Sequence, residues 1–269
     1  GNGLTTESTA KVIAMLCSIP NGVQSMSQDI PGLVQTSLNL GVAKLGEKFS
    51  ATFSVRSSLN AEKQELLAQL KTLADFHGGS YSQNNTLLGI CHSRNITIEN
   101  CRFRNAYGTW HNLEINSSKH VLVSDCWFEG SRKTGVNAEL IQIDSFNNTA
   151  TWPWGNGKVD GTVSYMVEIK NCFFTGCDIA PAIGNHSAAV IDCIRIHHNV
   201  FEGFTSSRGA VNFQSARNVD VYGNTFTGCV SGITVGTADH TNTVHDNRFI
   251  GITTVAGSGI RCYNNMVNG

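Results

Sequence analysis

Hydrophobic and polar residues alternate in one short pattern that the chain repeats about seven times. Each copy is an alternating strand that ends in Cys or Asn, then one further residue, then usually Phe. The spacing is 23 to 27 residues, apart from one gap of 46 between Cys126 and Cys172 and a shorter last step. This period is too short for a strand–helix–strand unit and predicts one coil of a parallel β-helix, in which each coil packs on the one before. The copies are residues 95–103, 120–128, 166–174, 194–201, 219–226, 243–249 and 261–267.

A second alternating strand precedes most copies of the pattern. Because side chains alternate between the two faces of a strand, its first and third residues should point inward and its second and fourth outward. Asn185 breaks the apolar inward rule, so the register of that coil is open. The predicted outward columns are Glu114, Gln142, Gly184, Asn212 and Thr234, and Asn116, Asp144, His186, Gln214 and Gly236.

Residues 1–80 follow a different pattern. Residues 8–16 form a helix candidate, residues 34–45 and 48–55 alternate as strands, and residues 61–76 have helical spacing between Asn60 and the Gly78-Gly79 pair. The order of helix, strand, strand and helix predicts a small α+β segment. We therefore divide the chain into residues 1–80 and a β-helix over residues 81–269. We expect the first segment to cover the first coil, because coil ends need covers.

Composition narrows the classes of partner and environment. A net charge of −1 with 14% charged residues, and no basic stripe, argues against a nucleic-acid partner. No apolar run is long enough to span a membrane, and no signal peptide is recognised. The chain starts Gly-Asn-Gly without Met, which suggests a fragment or a processed product.

Nine cysteines are an odd number, so they cannot all pair within the chain. We expect Cys101, Cys126 and Cys172 to be packed free thiols, because Asn takes their place in later coils. No cysteine or histidine spacing typical of zinc is present, and neither a metal nor a cofactor is expected.

The N-terminal segment resembles a known family. The stretch 21–41, NGVQSMSQDIPGLVQTSLNLG, followed by FSVRSS at 53–58, is similar to the end of the lid domain of Xaa-His dipeptidases. Those enzymes are cytosolic di-zinc metallopeptidases, and nothing in this chain matches their metal ligands. Arg56 aligns with a lid arginine that is thought to hold the substrate carboxylate in that family. Without a catalytic half, we expect Arg56 to be a solvated strand residue.

The coils over residues 91–269 resemble right-handed parallel β-helix proteins, the group that contains pectate lyases, polygalacturonases and phage tailspikes. The resemblance lies in the coil pattern and not in a catalytic signature. It implies an extracellular or cell-surface polysaccharide-directed protein, whereas the peptidase-like part would imply the cytoplasm.

Polar outward positions cluster in the first four coils and suggest an active site. Glu114 and Asp144 would lie roughly 8 Å apart, a separation compatible with the carboxylate pair of a glycoside hydrolase. His186 should lie beside Asp144 and orient it or act as a base. The alternative is ordinary solvated surface, since outer faces of β-helices are polar. Further substrate-binding candidates are Glu139, Arg208, Asn212 and Gln214.

The 46-residue gap predicts a long loop that leaves the β-helix directly after Asp144. Trp152 and Trp154 could contact sugar rings, or could instead hold the loop against the coils, and Asp160 could accept hydrogen bonds from a substrate.

Two functions therefore remain for the β-helix, and a third hypothesis is that the chain is a chimeric fragment whose peptidase-like part is a remnant without activity. The first is a glycoside hydrolase, with a polysaccharide lyase less favoured because neither a calcium cage nor a strong carbanion stabiliser is evident. The second is a carbohydrate-binding or adhesion module without catalysis. Because Gly269 directly follows the last repeat, the C-terminal end suggests truncation, a partner or a homo-oligomer.

Overall fold

The computed structural model describes residues 4–81, 88–104, 106, 108–130, 133–146, 161–236, 241–252, 254–257 and 259–268. The chain divides into two compact units, Gly1–Gln83 and Asn84–Gly269. No helix within the described ranges is long and apolar enough to cross a membrane.

The N-terminal unit packs helices with a three-stranded antiparallel sheet in the order β1-β2-β3. Its core is formed by Leu38 of the central strand together with Leu66 and Leu70 of the second helix. The first helix begins after Thr5, whose hydroxyl accepts the backbone N–H of Ser8 as an N-cap. The predicted α+β segment is present, with one strand, β1, that was not predicted. The elements are α1 Thr6–Ser18, β1 Gly22–Met26, β2 Val34–Leu45, β3 Phe49–Ser57 and α2 Asn60–Phe76.

The second unit is a parallel β-solenoid, as the repeat predicted. Its strands are β4 Leu88–Cys91, β5 Arg94–Glu99, β6 Arg102–Phe103, β7 Leu113–Asn116, β8 Lys119–Ser124, β9 Trp127–Glu129, β10 Ile141–Asp144, β11 Tyr165–Lys170, β12 Phe173–Thr175, β13 Ile183–Asn185, β14 Ile191–His197, β15 Val200–Glu202, β16 Val211–Phe213, β17 Ala216–Tyr222, β18 Thr225–Thr227, β19 Ser231–Val235, β20 Thr243–His245, β21 Arg248–Ile250, β22 Thr254–Ala256, β23 Arg261–Tyr263 and β24 Met266–Asn268.

These strands form three seven-stranded sheets, which together make about six turns. The first sheet takes every third strand from β4 to β22, the second from β5 to β23, and the third from β6 to β24. Strand pairs join consecutive coils in parallel, for example Ile141 with Leu113 and Phe174 with Phe128. Each coil thus contributes one strand to each sheet.

A left-handed residue between the second and third sheets explains much of the repeated sequence pattern. The chain turns sharply there, and this conformation is tolerated best by Gly, Asn and Asp. The repeat supplies those residues in all but one coil, where His198 takes the place. The residues are Asn100, Asp125, Asn171, His198, Gly223, Asp246 and Asn264, all with φ between 53° and 63°.

The Cys or Asn that follows this turn points into the solenoid. The amide of Asn224 donates to the backbone oxygen of Ile196 and to Oδ1 of Asn247, and its own Oδ1 accepts from Asn199. Such a ladder satisfies buried backbone groups at each turn. In earlier coils a thiol donates instead, as Cys126 Sγ does to the oxygen of Ser124. No disulfide joins the nine cysteines of the described residues; Cys126 and Cys172 are buried, as expected of packed thiols, whereas Cys101 is exposed.

The Phe of each repeat forms a buried stack, as predicted. Neighbouring rings have centroids 4.7–5.0 Å apart and interplanar angles of 4–9°. We call this stack the inner ladder; its members are Phe103, Phe128, Phe174, Phe201, Phe226 and Phe249.

Candidate functional site

The outward columns of the first sheet have the register that the sequence predicted. Glu114 pairs with Gln142, and Gln142 with Gly184. Asn185 does not disturb this register, because it points inward at 0% exposure. Its amide donates to the oxygens of Ala189 and Ser215, and its Oδ1 accepts the N–H of Gln214. The polar inward residue is therefore a hydrogen-bonded part of the turn.

The acidic side chains of this region are buried, contrary to the alternative expectation of a solvated surface. Asp144 is 1% exposed, Glu114 is 5% exposed and Glu139 is 0% exposed. The pleat decides which face a side chain lies on, but it does not decide whether water reaches that face. We call the group formed by Glu114, Asn116, Glu139, Gln142, Asp144, His111 and His186 the polar cluster.

Asp144 is held by local hydrogen bonds. Its carboxylate accepts the N–H of Ser145 at 2.7 Å, the amide of Gln142 at 3.1 Å and the hydroxyl of Ser187. Burial raises the pKa of Asp144 above its ordinary value, although these donors oppose the shift. Glu114 accepts the amide of Asn116 at 3.0 Å. Both predicted catalytic carboxylates are thus on one face and engaged with neighbouring residues.

His186 contacts a different carboxylate from the predicted one. Its Nδ1 lies 3.1 Å from Oε2 of Glu139, and its Nε2 lies 3.3 Å from the amide nitrogen of Gln142. Burial alone would lower the pKa of His186, but the hydrogen bond and charge of Glu139, with the charge of Asp144, outweigh it and raise that pKa. Burial would raise the pKa of Glu139, yet His186 and His111 hold it below its ordinary value. Within the polar cluster, the closer of the two histidine–carboxylate pairs of Glu139 is therefore the one with His186.

Two members of the neighbourhood were missed in the sequence. His111 Nδ1 lies 2.8 Å from the backbone oxygen of Glu139 and 3.7 Å from its Oε2, and burial lowers the pKa of His111. Lys133 is buried, donates to the oxygen of Trp110, and has a pKa lowered to about 7 by burial. The sequence did contain one indication that His111 and Glu139 are neighbours, because each stands two residues before a strand of the first sheet, β7 and β10.

The predicted substrate-binding residues of the later coils lie apart from these contacts. Asn212 donates to the hydroxyl of Thr234, Gln214 is exposed, and Arg208 is half-buried beside the start of β16. Trp152, Trp154 and Asp160 lie outside the described residues.

The outer face of the second sheet is open to solvent, whereas the polar cluster is buried. A groove of about 610 Å³ runs across the strands from β5 to β20. Its lining consists of Asn95, Ile96, Thr97, His120, Val121, Leu122, Met166, Val167, Glu168, Cys193, Arg195, Asn218, Val219, Asp220, Thr241 and Thr243.

One column of this groove has an uncommon backbone conformation. Asn95, His120, Met166, Cys193 and Asn218 have φ between 52° and 58° at equivalent positions of successive strands. Left-handed backbone costs a non-glycine residue roughly 1–2 kcal/mol, so the surrounding coils impose this shape. Because the same conformation recurs at equivalent positions of successive strands, the groove has the same backbone shape in each of these coils.

Beside the groove, four aromatic rings stack on the outside of the second sheet. Successive centroids are 4.6–5.2 Å apart with interplanar angles of 4–7°. Glu168 contacts the first ring and Asp220 the third, each at 3.1 Å. We call this stack the outer ladder; its members are His197, Tyr222, His245 and Tyr263.

No protein-family model matches the chain, and no curated protein matches it significantly. A solved structure of the Streptococcus pneumoniae surface protein and adhesin PfbA is 22% identical over 67% of this chain and 54% of that chain, with a TM-score of 0.52. A second structure, described as PfbA, a surface adhesin of Streptococcus pneumoniae, is 24% identical over 66% and 49% of the two chains, with a TM-score of 0.48. The chain thus spans about half the length of these structures, and a likeness at this identity establishes the fold alone.

Proposed function

We propose that the solenoid is a non-catalytic glycan-binding module of the adhesion type, and that its ligand lies in the groove of the second sheet. The observation that carries this proposal is the open groove across six consecutive coils, bordered by the outer ladder. With strands about 4.8 Å apart, six strands span roughly 24 Å, a length that suits several sugar units of a polymer.

The groove chemistry favours a neutral glycan. Its charged side chains are Glu168, Asp220 and Arg195, and both carboxylates already contact histidines of the outer ladder. This mixture offers hydrogen bonds without the excess of positive charge that a polyanion requires. The rings of the outer ladder lie parallel to one another, so the rings in the middle of that stack expose their edges and not their faces. These edges carry hydroxyl and imidazole groups. Such edges suit hydrogen bonds with sugar hydroxyls.

Glycoside hydrolysis by Glu114 and Asp144 remains the second candidate. Hydrolysis is favoured because both carboxylates lie on the same face of the first sheet. Their burial argues against it, because the reaction needs two carboxyl groups that reach the glycosidic bond and a water molecule.

A cellular location is part of the same proposal. PfbA is described as a surface adhesin, which is said of that protein, and we extend a cell-surface or extracellular location to this solenoid as part of the proposal. Association of copies through the C-terminal coil stays a prediction. For the N-terminal unit we propose no peptidase activity, since no comparison supports the resemblance to dipeptidase lids and Arg56 is exposed on β3.

The test is a binding screen of the whole chain against neutral and acidic polysaccharides by affinity electrophoresis, with reducing ends and unsaturated products measured in the same samples. Arg195→Ala probes the groove. Arg248→Ala is its matched control, because Arg248 is also an exposed arginine of the solenoid but lies on the third sheet.

Binding without new reducing ends or unsaturated products, weakened by Arg195→Ala and not by Arg248→Ala, is the expected result. New reducing ends that disappear in Asp144→Asn would replace the proposal with hydrolysis. Equal effects of the two arginine variants would reject the groove as the binding surface.

A further inference from the structure

The polar cluster contains the donor set of a transition-metal site. His111, Glu139 and His186 each offer one ligand atom, and these atoms all lie within 4.8 Å of one another. The three residues are 28 and 47 positions apart in sequence, and they bring together the start of β7, the start of β10 and the end of β13. Two imidazoles with one carboxylate are typical ligands of zinc and of other first-row divalent metals.

The distances within this trio suit a shared ion. Oε2 of Glu139 lies 3.1 Å from Nδ1 of His186 and 3.7 Å from Nδ1 of His111. Zinc bonds of about 2.0–2.2 Å in tetrahedral geometry place neighbouring ligand atoms roughly 3.3–3.5 Å apart. The histidine rings also lie nearly parallel, with an interplanar angle of 18°. Binding by Nδ1 of His111 requires this nitrogen to lose its 2.8 Å hydrogen bond with the backbone oxygen of Glu139, and side-chain rotation then brings all three ligands to one ion.

Buried oxygens without a hydrogen-bond partner give an independent indication of a ligand at the trio. Oε1 of Glu139, Oε1 of Gln142 and Oδ1 of Asn116 are buried and have no hydrogen-bond partner among the described residues. Buried polar atoms without partners cost free energy, so they are rare unless a water or an ion satisfies them. Glu139 is at once the most buried of these side chains and the central member of the trio.

The buried charges around the trio also favour a bound cation. The buried charged side chains around the trio are the carboxylates of Glu114, Glu139 and Asp144 and the amine of Lys133. Buried carboxylates require compensating positive charge or metal coordination. A divalent cation between Glu139 and the two imidazoles would supply that charge where the carboxylates are densest.

We propose that His111, Glu139 and His186 bind a divalent transition-metal ion, with zinc as the physiological type, and that this ion links three successive coils of the solenoid. Nε2 of His186, which faces away from Glu139, lies 3.3 Å from the side-chain amide nitrogen of Gln142. With Nδ1 of His186 on the ion, Nε2 carries the proton, and Gln142 supports this ligand by turning its unpartnered Oε1 to accept it. This site is separate from the groove of the second sheet, so its test is independent of glycan binding.

The test uses the whole purified chain, stripped with a chelator and titrated with zinc chloride by calorimetry, with metal content measured after dialysis. Glu139→Gln removes the central charge with little change of shape, and His186→Gln alters the half-exposed ligand. His198→Gln is the matched control, because His198 is an exposed imidazole at the turn between the second and third sheets, outside the trio. Cobalt(II) absorption spectra separate imidazole and carboxylate ligands from cysteine thiolates, of which nine are available.

The expected result is one zinc per chain, a rise in Tm on loading, and an affinity loss of roughly 100-fold or more in both trio variants, since even supporting residues change metal affinity 10–100-fold. His198→Gln should bind like the parent, and cobalt should give no thiolate charge-transfer band. If Glu139→Gln does not fold, His186→Gln alone decides. Absence of stoichiometric binding, binding retained in the trio variants, or a thiolate spectrum would overturn the proposal.

Discussion

The inner and outer ladders are two aromatic stacks with nearly the same geometry in very different surroundings. Ring spacing is 4.7–5.0 Å in the inner ladder and 4.6–5.2 Å in the outer ladder, with the rings close to parallel in both. From Phe128 onward the inner rings are 0% exposed, whereas exposure in the outer ladder reaches 45% at Tyr263.

The comparison shows that register sets the stacking, whereas burial sets its energetic value. Parallel strands one spacing apart place equivalent side chains directly above one another on either face. Burying an aromatic ring removes a large apolar area from water, and a half-exposed ring gains only part of that free energy. The outer ladder therefore retains surface and hydrogen-bonding groups that a ligand can use.

Truncation in the middle of the inner ladder should have the largest effect. Phe174→Ala removes a ring stacked on both sides, by Phe128 and Phe201, and leaves a cavity among closely packed neighbours. We expect a loss of about 3–5 kcal/mol in the free energy of unfolding, measured by urea denaturation. If Phe174→Ala lost less free energy of unfolding than a truncation in the outer ladder, burial would not explain the difference between the two stacks.

The asparagine ladder should rank next, because its value lies in hydrogen bonds and not in apolar area. Asn224→Ala leaves the backbone N–H of Asn199 and the oxygen of Ile196 without their side-chain partner. At about 1–3 kcal/mol for each unsatisfied buried group, we expect a loss of roughly 2–3 kcal/mol. Asn224→Cys should lose less, since earlier coils use Cys at this position. Equal stability of the Ala and Cys variants would show that these hydrogen bonds contribute little.

The N-terminal unit has neither ladder and depends on a different kind of contact. Side-chain hydrogen bonds from Ser25, and then from Thr36 and Gln35, hold the pKa of Glu62 below its ordinary value. A depressed carboxylate pKa contributes stability that is present above the unfolded-state pKa and is lost as pH falls through the folded-state pKa.

Acidification should therefore destabilise this unit. We expect Glu62→Gln to remove the acid-dependent part of the loss, whereas Glu65→Gln, an exposed position of the same helix, should not. Far-UV circular dichroism follows α1 and α2, the two helices of the described residues. Identical acid profiles for Glu62→Gln and the parent chain would contradict the assignment.

Most of the solenoid was predictable from the sequence, because its period, its inward Phe and its Cys or Asn positions follow from local alternation and turn chemistry. Asn185 shows where the pattern misleads: an inward polar residue looked like a register error, but it satisfies backbone groups of its own coil and of the next one. Strand β1 was missed because Gly22–Met26 has no clear alternation.

The polar cluster was predictable only in part. Register placed Glu114 and Asp144 on one outer face, but whether that face is buried depends on packing between distant segments, which alternation does not encode. The pairing of His186 with Glu139, and the presence of His111, depend on side-chain reach between coils. The groove was missed for a related reason, since the left-handed column that shapes it includes Met166 and Cys193, which carry no turn signal.

Truncation of the outer ladder should have the smallest effect on stability. Tyr222 is half-buried and stacks between His197 and His245. We expect Tyr222→Ala to cost about 1 kcal/mol, in the range of an aromatic pair interaction, as measured by urea denaturation against Phe174→Ala. A cost comparable with that of Phe174→Ala would mean that the outer ladder serves mainly to hold the coils together.

The most direct measurement is the dissociation constant of the best-bound polysaccharide of the screen for the parent chain, Tyr222→Ala and Trp127→Ala. Trp127 is the control, because it is 38% exposed and lies on the third sheet. We predict that Tyr222→Ala raises Kd by about tenfold or more, equivalent to about 1.4 kcal/mol, while Trp127→Ala leaves it unchanged. Unchanged binding by Tyr222→Ala, or a larger loss in Trp127→Ala, would contradict a binding surface on the second sheet.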